Sequence, residues 1–300
     1  MNALSLQIRR LARQKDALIL SHYYQTMDIQ NVADFVGDSF DLARRARDTR
    51  SSVLVLCGVR FMAESAKLLN PEKTVLLPVS DAGCPMADMV APDDVDALRR
   101  RHPGAVVMCY VNSTADVKAR SDICCTSSSA VRIAAGLPER DIIFLPDRNL
   151  AAYVAAKLPD KNIIPADGYC PIHHGVTVSD VRAALQVHRG ARVAVHPECR
   201  PEVVSFADFV GSTSELLDTI QKSDQKVFLL GTELGVLERL RVTAPTKVVY
   251  LLGQGLVCPN MKKTRLEDVL RTLETETEAV SVEHSIAEGA RRALERMINS

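Results

Sequence analysis

The chain has no tryptophan, and aromatic residues make up only 4% of its 300 positions. It also lacks an excess of charge of either sign, because 37 Lys and Arg residues balance 37 Asp and Glu residues. A neutral chain has no general long-range attraction for nucleic acid or for an anionic membrane, so neither partner is expected. Any anionic ligand must therefore be bound by local groups.

Long apolar runs are lacking as well. No window of 18 residues is continuously apolar, so a membrane-spanning helix is not expected. The N-terminal segment MNALSLQIRRLARQKDALIL has no continuous apolar stretch of the kind found in signal peptides. We therefore expect a cytoplasmic protein. Since thiols stay reduced there, the 8 cysteines indicate packing, metal binding or catalysis, not disulfides.

What the sequence does contain is an internal repeat. Strand-like apolar runs begin at residues 17, 105 and 191, and matching segments that follow them begin at 33, 121 and 207. Both sets are offset by 88 and then 86 positions, which is the signature of a repeat architecture. Each unit has the pattern strand, loop, helix, strand, helix, strand. The sequence therefore predicts an α/β fold of three tandem, pseudo-three-fold-related α/β/α repeats with short parallel sheets around a central cluster site.

The same offsets predict domain boundaries. We expect the first repeat domain to span residues 1–84, the second 85–170 and the third 171–261. The C-terminal helices within 262–300 are expected to join the first domain. They follow the third repeat without a further strand, and would close the molecule into a disc.

Each repeat ends in a Cys-Pro pair. In a pseudo-three-fold arrangement equivalent strand ends meet near the axis, so Cys84, Cys170 and Cys258 are expected to converge. Three thiolates on a four-iron cubane would leave one iron open as a Lewis acid. Two alternatives stay open, namely buried packing cysteines and a zinc site, although the sequence has none of the CxxC pairs typical of structural zinc. The other cysteines, which fall mostly in apolar runs and are interpreted as packing residues, are Cys57, Cys109, Cys124, Cys125 and Cys199.

Polar residues differ between the repeats at equivalent strand ends. Ligands of parallel α/β sheets bind beyond the carboxyl ends of strands, so these residues should surround the cluster. In repeat order the equivalent sets are His22, Tyr110 and His196; Tyr24, Asn112 and Glu198; and Ser39, Ser127 and Thr213. The three hydroxyl residues precede helices, which they could cap, and helix N-termini also attract anions.

Four further residues have two readings each. One of His173 and His174, which follow Cys170, could line the cavity. Lys262 and Lys263 follow Cys258 and could bind phosphate or be solvated. The segment 22–31 is interpreted as a possible mobile loop.

Taken together these motifs resemble the quinolinate synthase family of NAD biosynthesis, over residues 17 to 270. The segments that carry the resemblance are ILSHYYQ, DAGCPMADM, CYVNSTADVKA, TSSSA, IIFLPDRNLA, GYCPIHH, VHPEC, GSTSEL, GTELG and CPNMKKT. The family likeness implies a [4Fe-4S] cluster with Cys84, Cys170 and Cys258 as ligands. It also implies that iminosuccinate and dihydroxyacetone phosphate condense to quinolinate, phosphate and water, with the open iron as Lewis acid.

The resemblance also assigns residues. The implied substrate contacts are His22, Ser39, Tyr110, Val111, Asn112, Ser127, His196, Pro197, Glu198 and Thr213. The catalytic candidates are Tyr24, His22, Glu198 and His196, and proton transfer is implied for Tyr24 and Glu198. An aspartate-oxidising enzyme is a possible transient partner that supplies iminosuccinate. Some family members carry a CxxC redox pair at the third ligand, but here Cys258 is followed by Pro-Asn-Met.

Three alternatives remain for a chain with one cysteine in each of three repeats. Two are iron–sulfur enzymes, a diphosphate reductase of isoprenoid synthesis and a diphthamide-forming enzyme, and both would need electrons. The third is a non-enzymatic iron–sulfur sensor, which would normally carry an output module that this sequence does not show.

Overall fold

The computed structural model describes residues 3–300. In these residues the strands form three parallel four-stranded sheets that share one strand order, second-first-third-fourth. The first sheet consists of β1 (Ala17–His22), β2 (Phe35–Gly37), β3 (Val53–Cys57) and β4 (Thr74–Leu76). The second consists of β5 (Val106–Tyr110), β6 (Ile123–Cys125), β7 (Asp141–Leu145) and β8 (Asn162–Pro165). The third consists of β9 (Arg192–Val195), β10 (Phe209–Val210), β11 (Val227–Gly231) and β12 (Val248–Leu251).

Helices connect the strands and cover the sheets, as parallel strands require. Those of the first repeat are α1 (Ala3–Gln14), α2 (Met27–Val32), α3 (Ser39–Asp48) and α4 (Arg60–Leu69). Those of the second are α5 (Pro92–Arg101), α6 (Ala115–Ala119), α7 (Ala130–Gly136) and α8 (Arg148–Lys157). Those of the third are α9 (Pro171–His174), α10 (Val178–Val187), α11 (Pro201–Val204), α12 (Thr213–Lys222) and α13 (Leu234–Thr243), and the chain ends with α14 (Leu266–Thr275) and α15 (His284–Ile298).

The predicted fold class is confirmed, with one strand more in each repeat than the pattern indicated. The additional strands β2, β6 and β10 contain only two or three residues. Each pairs with the first strand of its repeat, as in Leu20 with Phe35 and Ala194 with Phe209. Runs so short show no alternation of polar and apolar residues, so the sequence reads as loop there.

A shared backbone hydrogen bond shows how closely the repeats correspond. In each repeat the N–H that opens the helix after the third strand donates, over 2.8 Å, to the carbonyl two residues before the cysteine of the Cys-Pro pair. The donor and acceptor pairs are Arg60 and Ala82, Arg148 and Gly168, and Leu234 and Leu256. The three cysteines are therefore carried on equivalent backbone.

The two C-terminal helices pack on different repeats, whereas the sequence predicted that both would pack on the first. Helix α14 packs on α1 and β3 of the first repeat. Residues 278–280 then add an antiparallel segment to β4, since Leu77 N–H donates to Glu278 O and Val280 N–H to Val75 O. Helix α15, however, packs mainly on α6 and β6 of the second repeat, and also on α4.

The position of α15 corrects the expectation that both C-terminal helices join the first repeat. Gly289 allows its close approach to α6, because a Cβ there would lie 2.7 Å from Ala119 O. The boundaries at residues 84, 170 and 261 stay predictions. Within residues 3–300 no helix combines the length and the apolar character needed to cross a membrane.

Candidate active site

A single cavity lies where the carboxyl ends of the three sheets meet. About 690 Å³ there is free of protein atoms, with the open solvent at its mouth included. Strand-end residues of all three repeats line it, as expected for parallel α/β sheets. The lining residues that the sequence singled out are His22, Tyr24, Ser39, Cys84, Tyr110, Asn112, Ser127, Cys170, His173, His196, Glu198, Thr213 and Cys258.

The three Cys-Pro cysteines lie together in this cavity. Proline starts a tight turn after each cysteine, and after Cys170 this turn is α9 with Pro171 at its first position. Proline suits that position because the N–H it lacks would have no helical partner. The turns direct backbone N–H groups back to the sulfur atoms. The donors are Met86 and Ala87 for Cys84, His173 for Cys170, and Asn260 and Met261 for Cys258.

The cysteines suit a metal centre in their chemistry. Burial raises the pKa of Cys84 to about 12 and also raises the pKa values of Cys170 and Cys258. Such thiols become thiolates when a cation takes the place of the proton, and the N–H donors then stabilise the charge. The five remaining cysteines are fully buried and lie outside this cavity, in agreement with a packing role.

The possible metal ligands in the cavity differ in how closely they are grouped. Within residues 3–300, the only three His, Cys, Asp or Glu side chains with ligand atoms all within 4.8 Å are Cys170, His173 and Glu198. The sulfurs of Cys84, Cys170 and Cys258 are therefore spread more widely. A tetrahedral zinc ion places thiolate sulfurs about 3.8 Å apart. The three thiols, with His173 and Glu198 beside Cys170, are compatible with a metal cofactor in this cavity.

Two equivalent histidines face the cavity in the same tautomer. The backbone N–H of Tyr24 donates to Nδ1 of His22 over 3.1 Å, and the backbone N–H of Glu198 donates to Nδ1 of His196 over 3.3 Å. A neutral ring that accepts at Nδ1 carries its proton on Nε2. Burial lowers the pKa of each histidine to about 3, so both are neutral at pH 7. Each ring therefore offers one N–H donor from Nε2.

Glu198 is a buried carboxylate held by its neighbours. Nδ1 of His173 lies 2.6 Å from Oε2 of Glu198, and it also lies 3.2 Å from Sγ of Cys170. Burial alone would raise the pKa of Glu198, but the hydrogen bonds from His173 and Tyr110 and the neighbouring His196 ring outweigh it, so the pKa is lowered from its ordinary value. Glu198 is thus ionised at neutral pH.

A chain of hydrogen bonds joins Glu198 to Tyr24. The hydroxyl of Thr232 lies 2.9 Å from Tyr24 Oη and 2.9 Å from Nε2 of His173, and Thr213 donates to Tyr24 Oη over 3.0 Å. One set of donors satisfies all four groups: Tyr24 donates to Thr232, Thr232 to His173, and His173 to Glu198. Burial, together with the charge of Glu198, raises the pKa of Tyr24 well above its ordinary value, so its hydroxyl is protonated.

Ser39, Ser127 and Thr213 were predicted to cap helices, but other residues occupy the cap positions. The helix caps are made by neighbours, Asp38 for α3 and Ser212 for α12, and α7 begins after Ser129. The expectation that Ser39, Ser127 and Thr213 cap these helices is therefore wrong. Ser39 and Thr213 stand at the first helical position, where the side chain is not needed for capping. All three hydroxyl residues line the cavity.

Comparisons with known proteins agree with these motifs and this site. Residues 6–299 match the sequence model of a family described as quinolinate synthetase A protein. The chain belongs to that family. It is 49% identical to a quinolinate synthase of Caldicellulosiruptor saccharolyticus over 292 residues, which cover 97% of this chain and 96% of the relative. It is 50% identical to a quinolinate synthase of Geobacter metallireducens over 293 residues, covering 97% and 96%. The resemblance inferred from the motifs is confirmed, and with it the expectation that the chain is an enzyme of this family.

Two of the implied substrate contacts of the quinolinate synthase family lie behind the cavity wall. Val111 and Pro197 are buried and do not line the cavity. Val111 belongs to the buried hydrophobic core around the site, and its backbone N–H donates to Cys125 O. Of the paired histidines, His173 lines the cavity, whereas His174 contacts Asn149 and packs against the Tyr169 ring at a tilt of 40°.

The two lysines after the third ligand also have distinct positions. Lys262 is mostly buried, pairs with Glu233 over 3.1 Å and donates to Tyr24 O over 2.6 Å. Lys263 pairs with Asp81 at the surface. Neither lysine lines the cavity, so their partners here are protein groups.

Sequence reasoning missed several residues of this family site. Thr232 is one, because its role depends on contacts with residues far away in the sequence. Other missed residues line the cavity with apolar or acidic side chains: Asp38, Phe40, Val59, Phe61, Met62, Met86, Ile172, Glu233 and Met261. Two signals were available: Val59 and Glu233 occupy equivalent positions in the repeat, and Thr232 and Glu233 lie in GTELG, a segment that carries the family resemblance.

Proposed function

We propose that this chain is a quinolinate synthase of NAD biosynthesis that condenses iminosuccinate with dihydroxyacetone phosphate to quinolinate, phosphate and water. The observation that carries the proposal is the meeting of three repeat-equivalent cysteines in one cavity with Tyr24 and Glu198. Family membership supports the activity, and the polar groups support the choice of anionic substrates.

Cys84, Cys170 and Cys258 would hold a [4Fe-4S] cluster in this cavity. When bound, such a cluster supplies one iron without a protein ligand that can act as a Lewis acid on a substrate oxygen. The remaining chemistry depends on the side chains around it.

Anion binding follows from local groups in a chain of zero net charge. His22 and His196 each direct an Nε2 N–H towards the cavity. Ser39 and Thr213 add hydroxyls at the N-termini of α3 and α12, where helices favour negative charge. These donors suit the carboxylates and the phosphate of the two substrates.

Among the described residues that line the cavity, two have a buried acceptor without a partner, namely Asn112 at Oδ1 and Glu198 at Oε1. A buried polar atom without a partner is costly, so each is expected to accept a hydrogen bond from bound substrate. The hydroxyls of dihydroxyacetone phosphate and the imine N–H of iminosuccinate are donors of the required kind.

Proton transfer is assigned to Glu198 and Tyr24. Glu198 is ionised and can accept a proton as a general base, whereas Tyr24 keeps its proton and can donate it as a general acid. The hydroxyl of Thr232 and the ring of His173 connect them, so a proton taken by Glu198 can be returned to Tyr24 without solvent. His22 and His196, being neutral, orient substrate by donating hydrogen bonds.

The test uses anaerobically purified protein whose cluster has been reconstituted. Iminosuccinate and dihydroxyacetone phosphate are added without a reductant, and quinolinate is followed by its pyridine absorbance together with released phosphate. Equal amounts of quinolinate and phosphate are expected. An intact cluster without product would refute the proposal and favour a diphosphate reductase or diphthamide-type reaction, both of which need electrons. A cytoplasmic location and an aspartate-oxidising partner stay predictions.

A further inference from the structure

Three repeat-equivalent residues lie next to the cysteine sites, and two of them are acidic whereas the third is apolar. They are Val59, Asp147 and Glu233, which are offset by 88 and 86 positions like the rest of the repeat. Each is the N-cap of the helix after the third strand, α4, α8 and α13. Two of the three are therefore carboxylates where the first repeat has an apolar side chain.

Both carboxylates reach the backbone of a cysteine. Oδ2 of Asp147 accepts the N–H of Cys170 over 3.1 Å, and Oε1 of Glu233 accepts the N–H of Cys258 over 3.1 Å. The other oxygen of each caps the helix: Oδ1 of Asp147 accepts from Asn149 and Leu150, both over 2.8 Å. Val59 offers no oxygen for either purpose.

Helix capping alone does not account for these residues. Both side chains are completely buried, and burying a carboxylate is costly unless its hydrogen bonds are satisfied. Elsewhere in the chain single hydroxyls cap helices, as Thr177 does for α10. A hydroxyl has one oxygen, whereas a carboxylate has two, and the second oxygen here holds a cysteine.

The cysteines are thereby held from both sides. The carboxylate fixes the N–H of Cys170, and the turn after Pro171 directs the N–H of His173 to its sulfur. Glu233 does the same for Cys258 and also pairs with Lys262, which donates to Tyr24 O. A ligand whose backbone is fixed loses little conformational freedom when it binds a metal.

We infer that Asp147 and Glu233 are positioning residues for the metal centre, each fixing the backbone of one cysteine ligand, and that Cys84 is held without such a carboxylate. The inference rests on the proposed function, because it takes the three cysteines as cluster ligands. It assigns the carboxylates a role in retaining the cluster and none in contacting substrate.

The test compares Asp147→Asn with Thr177→Ala in the reconstituted full-length protein. Asparagine keeps one oxygen, which can cap α8 as well as aspartate does, but its amide group cannot accept the N–H of Cys170. Thr177→Ala removes a helix cap that has no contact with a cysteine. Glu233→Gln is a second, independent variant should Asp147→Asn fail to fold.

Iron and sulfide per chain are measured first. The rate at which a chelator removes iron anaerobically is measured next, and the reduction potential of the cluster is then determined by electron paramagnetic resonance. We expect Asp147→Asn to lose iron about tenfold faster than wild type, the change expected when a hydrogen bond to a charged group is lost. The potential should shift because the hydrogen bond that fixes the backbone of Cys170 is lost. Thr177→Ala should match wild type in both.

The inference would be overturned if Asp147→Asn lost iron at the wild-type rate. It would also be overturned if Thr177→Ala lost iron as fast as Asp147→Asn, because the loss would then reflect lower overall stability. Neither measurement needs substrate, so the two proposals fail separately. A wild-type protein that binds no four-iron cluster would refute the proposed function, and quinolinate formation by a variant that loses iron slowly would refute only the positioning role.

Discussion

Removing one buried hydroxyl should separate Glu198 from Tyr24, the two residues proposed to transfer protons. Thr232→Val keeps the shape of the side chain but deletes the oxygen that lies 2.9 Å from Tyr24 Oη and 2.9 Å from Nε2 of His173. The direct distance between Tyr24 Oη and His173 Nε2 is 3.5 Å, at the limit of a hydrogen bond. The path from Glu198 to Tyr24 is then interrupted at its centre.

The expected magnitudes differ for stability and turnover. Leaving a buried polar group without its partner costs about 1–3 kcal/mol, so the protein should still fold. Positioned acid–base groups contribute about 100-fold to 10,000-fold to a rate, and we expect kcat to fall by about 100-fold, or about 2.7 kcal/mol of transition-state stabilisation. Because Thr232 does not line the cavity, KM should change little.

The assay measures kcat and KM for quinolinate formation at matched cluster content, together with thermal unfolding. Thr232→Ser is the matched control, since serine restores the hydroxyl without the methyl group, and it should recover most of the lost turnover. A valine variant with kcat within about threefold of wild type would contradict the proposed path. A serine variant as slow as the valine variant would show that shape, not the hydroxyl, matters at this position.

Three other substitutions test separate parts of the site. Cys84→Ser should abolish the brown cluster chromophore, whereas Cys57→Ser, in the packed core of the first sheet, should retain it, as absorbance and iron content will show. Burial lowers the pKa of His22 from 6.5 to about 3, so between these pH values His22 binds a proton only when the protein unfolds. The free energy of unfolding therefore decreases as the pH falls below 6.5. In urea titrations between pH 5 and 7, His22→Gln should reduce this pH dependence by up to about 1.4 kcal/mol per pH unit. Gly235→Ala would place a Cβ 2.3 Å from Tyr23 O, so it should displace the loop that carries Tyr24, the proposed general acid. It should lower kcat more than it changes KM, and an unchanged kcat would show that the loop adapts.

Features that recur at the repeat offset could be predicted from the sequence. The three sheets and the meeting of Cys84, Cys170 and Cys258 follow from one argument, because equivalent strand ends in a pseudo-symmetric fold lie close to its axis. The polar strand-end residues follow in the same way. Each of these predictions depends on the position of a residue along its own repeat and on nothing outside it.

Features that depend on contacts between repeats could not be predicted. Whether Asp38 or Ser39 caps α3 differs by one position, which the sequence pattern does not resolve. The packing of α15 on the second repeat depends on the space that Gly289 leaves beside Ala119. Thr232 gives no signal of its own, since a threonine at a strand end is common and only its partners from distant segments give it a role.

The asymmetry of the reaction has a physical origin in these contacts. A three-fold frame alone would give three equal walls, yet the two proposed substrates are different anions and the proposed product is not symmetric. The three repeats place the same backbone conformation around each Cys-Pro turn. Different residues at equivalent positions, such as Val59, Asp147 and Glu233, give each turn different side-chain neighbours. The polar side chains of the cavity are fixed by hydrogen bonds to residues from other segments, as Tyr24 is by Thr232. The three sides of the cavity therefore keep one defined arrangement. Specificity should accordingly be sensitive to substitutions between the repeats even where no substrate is touched.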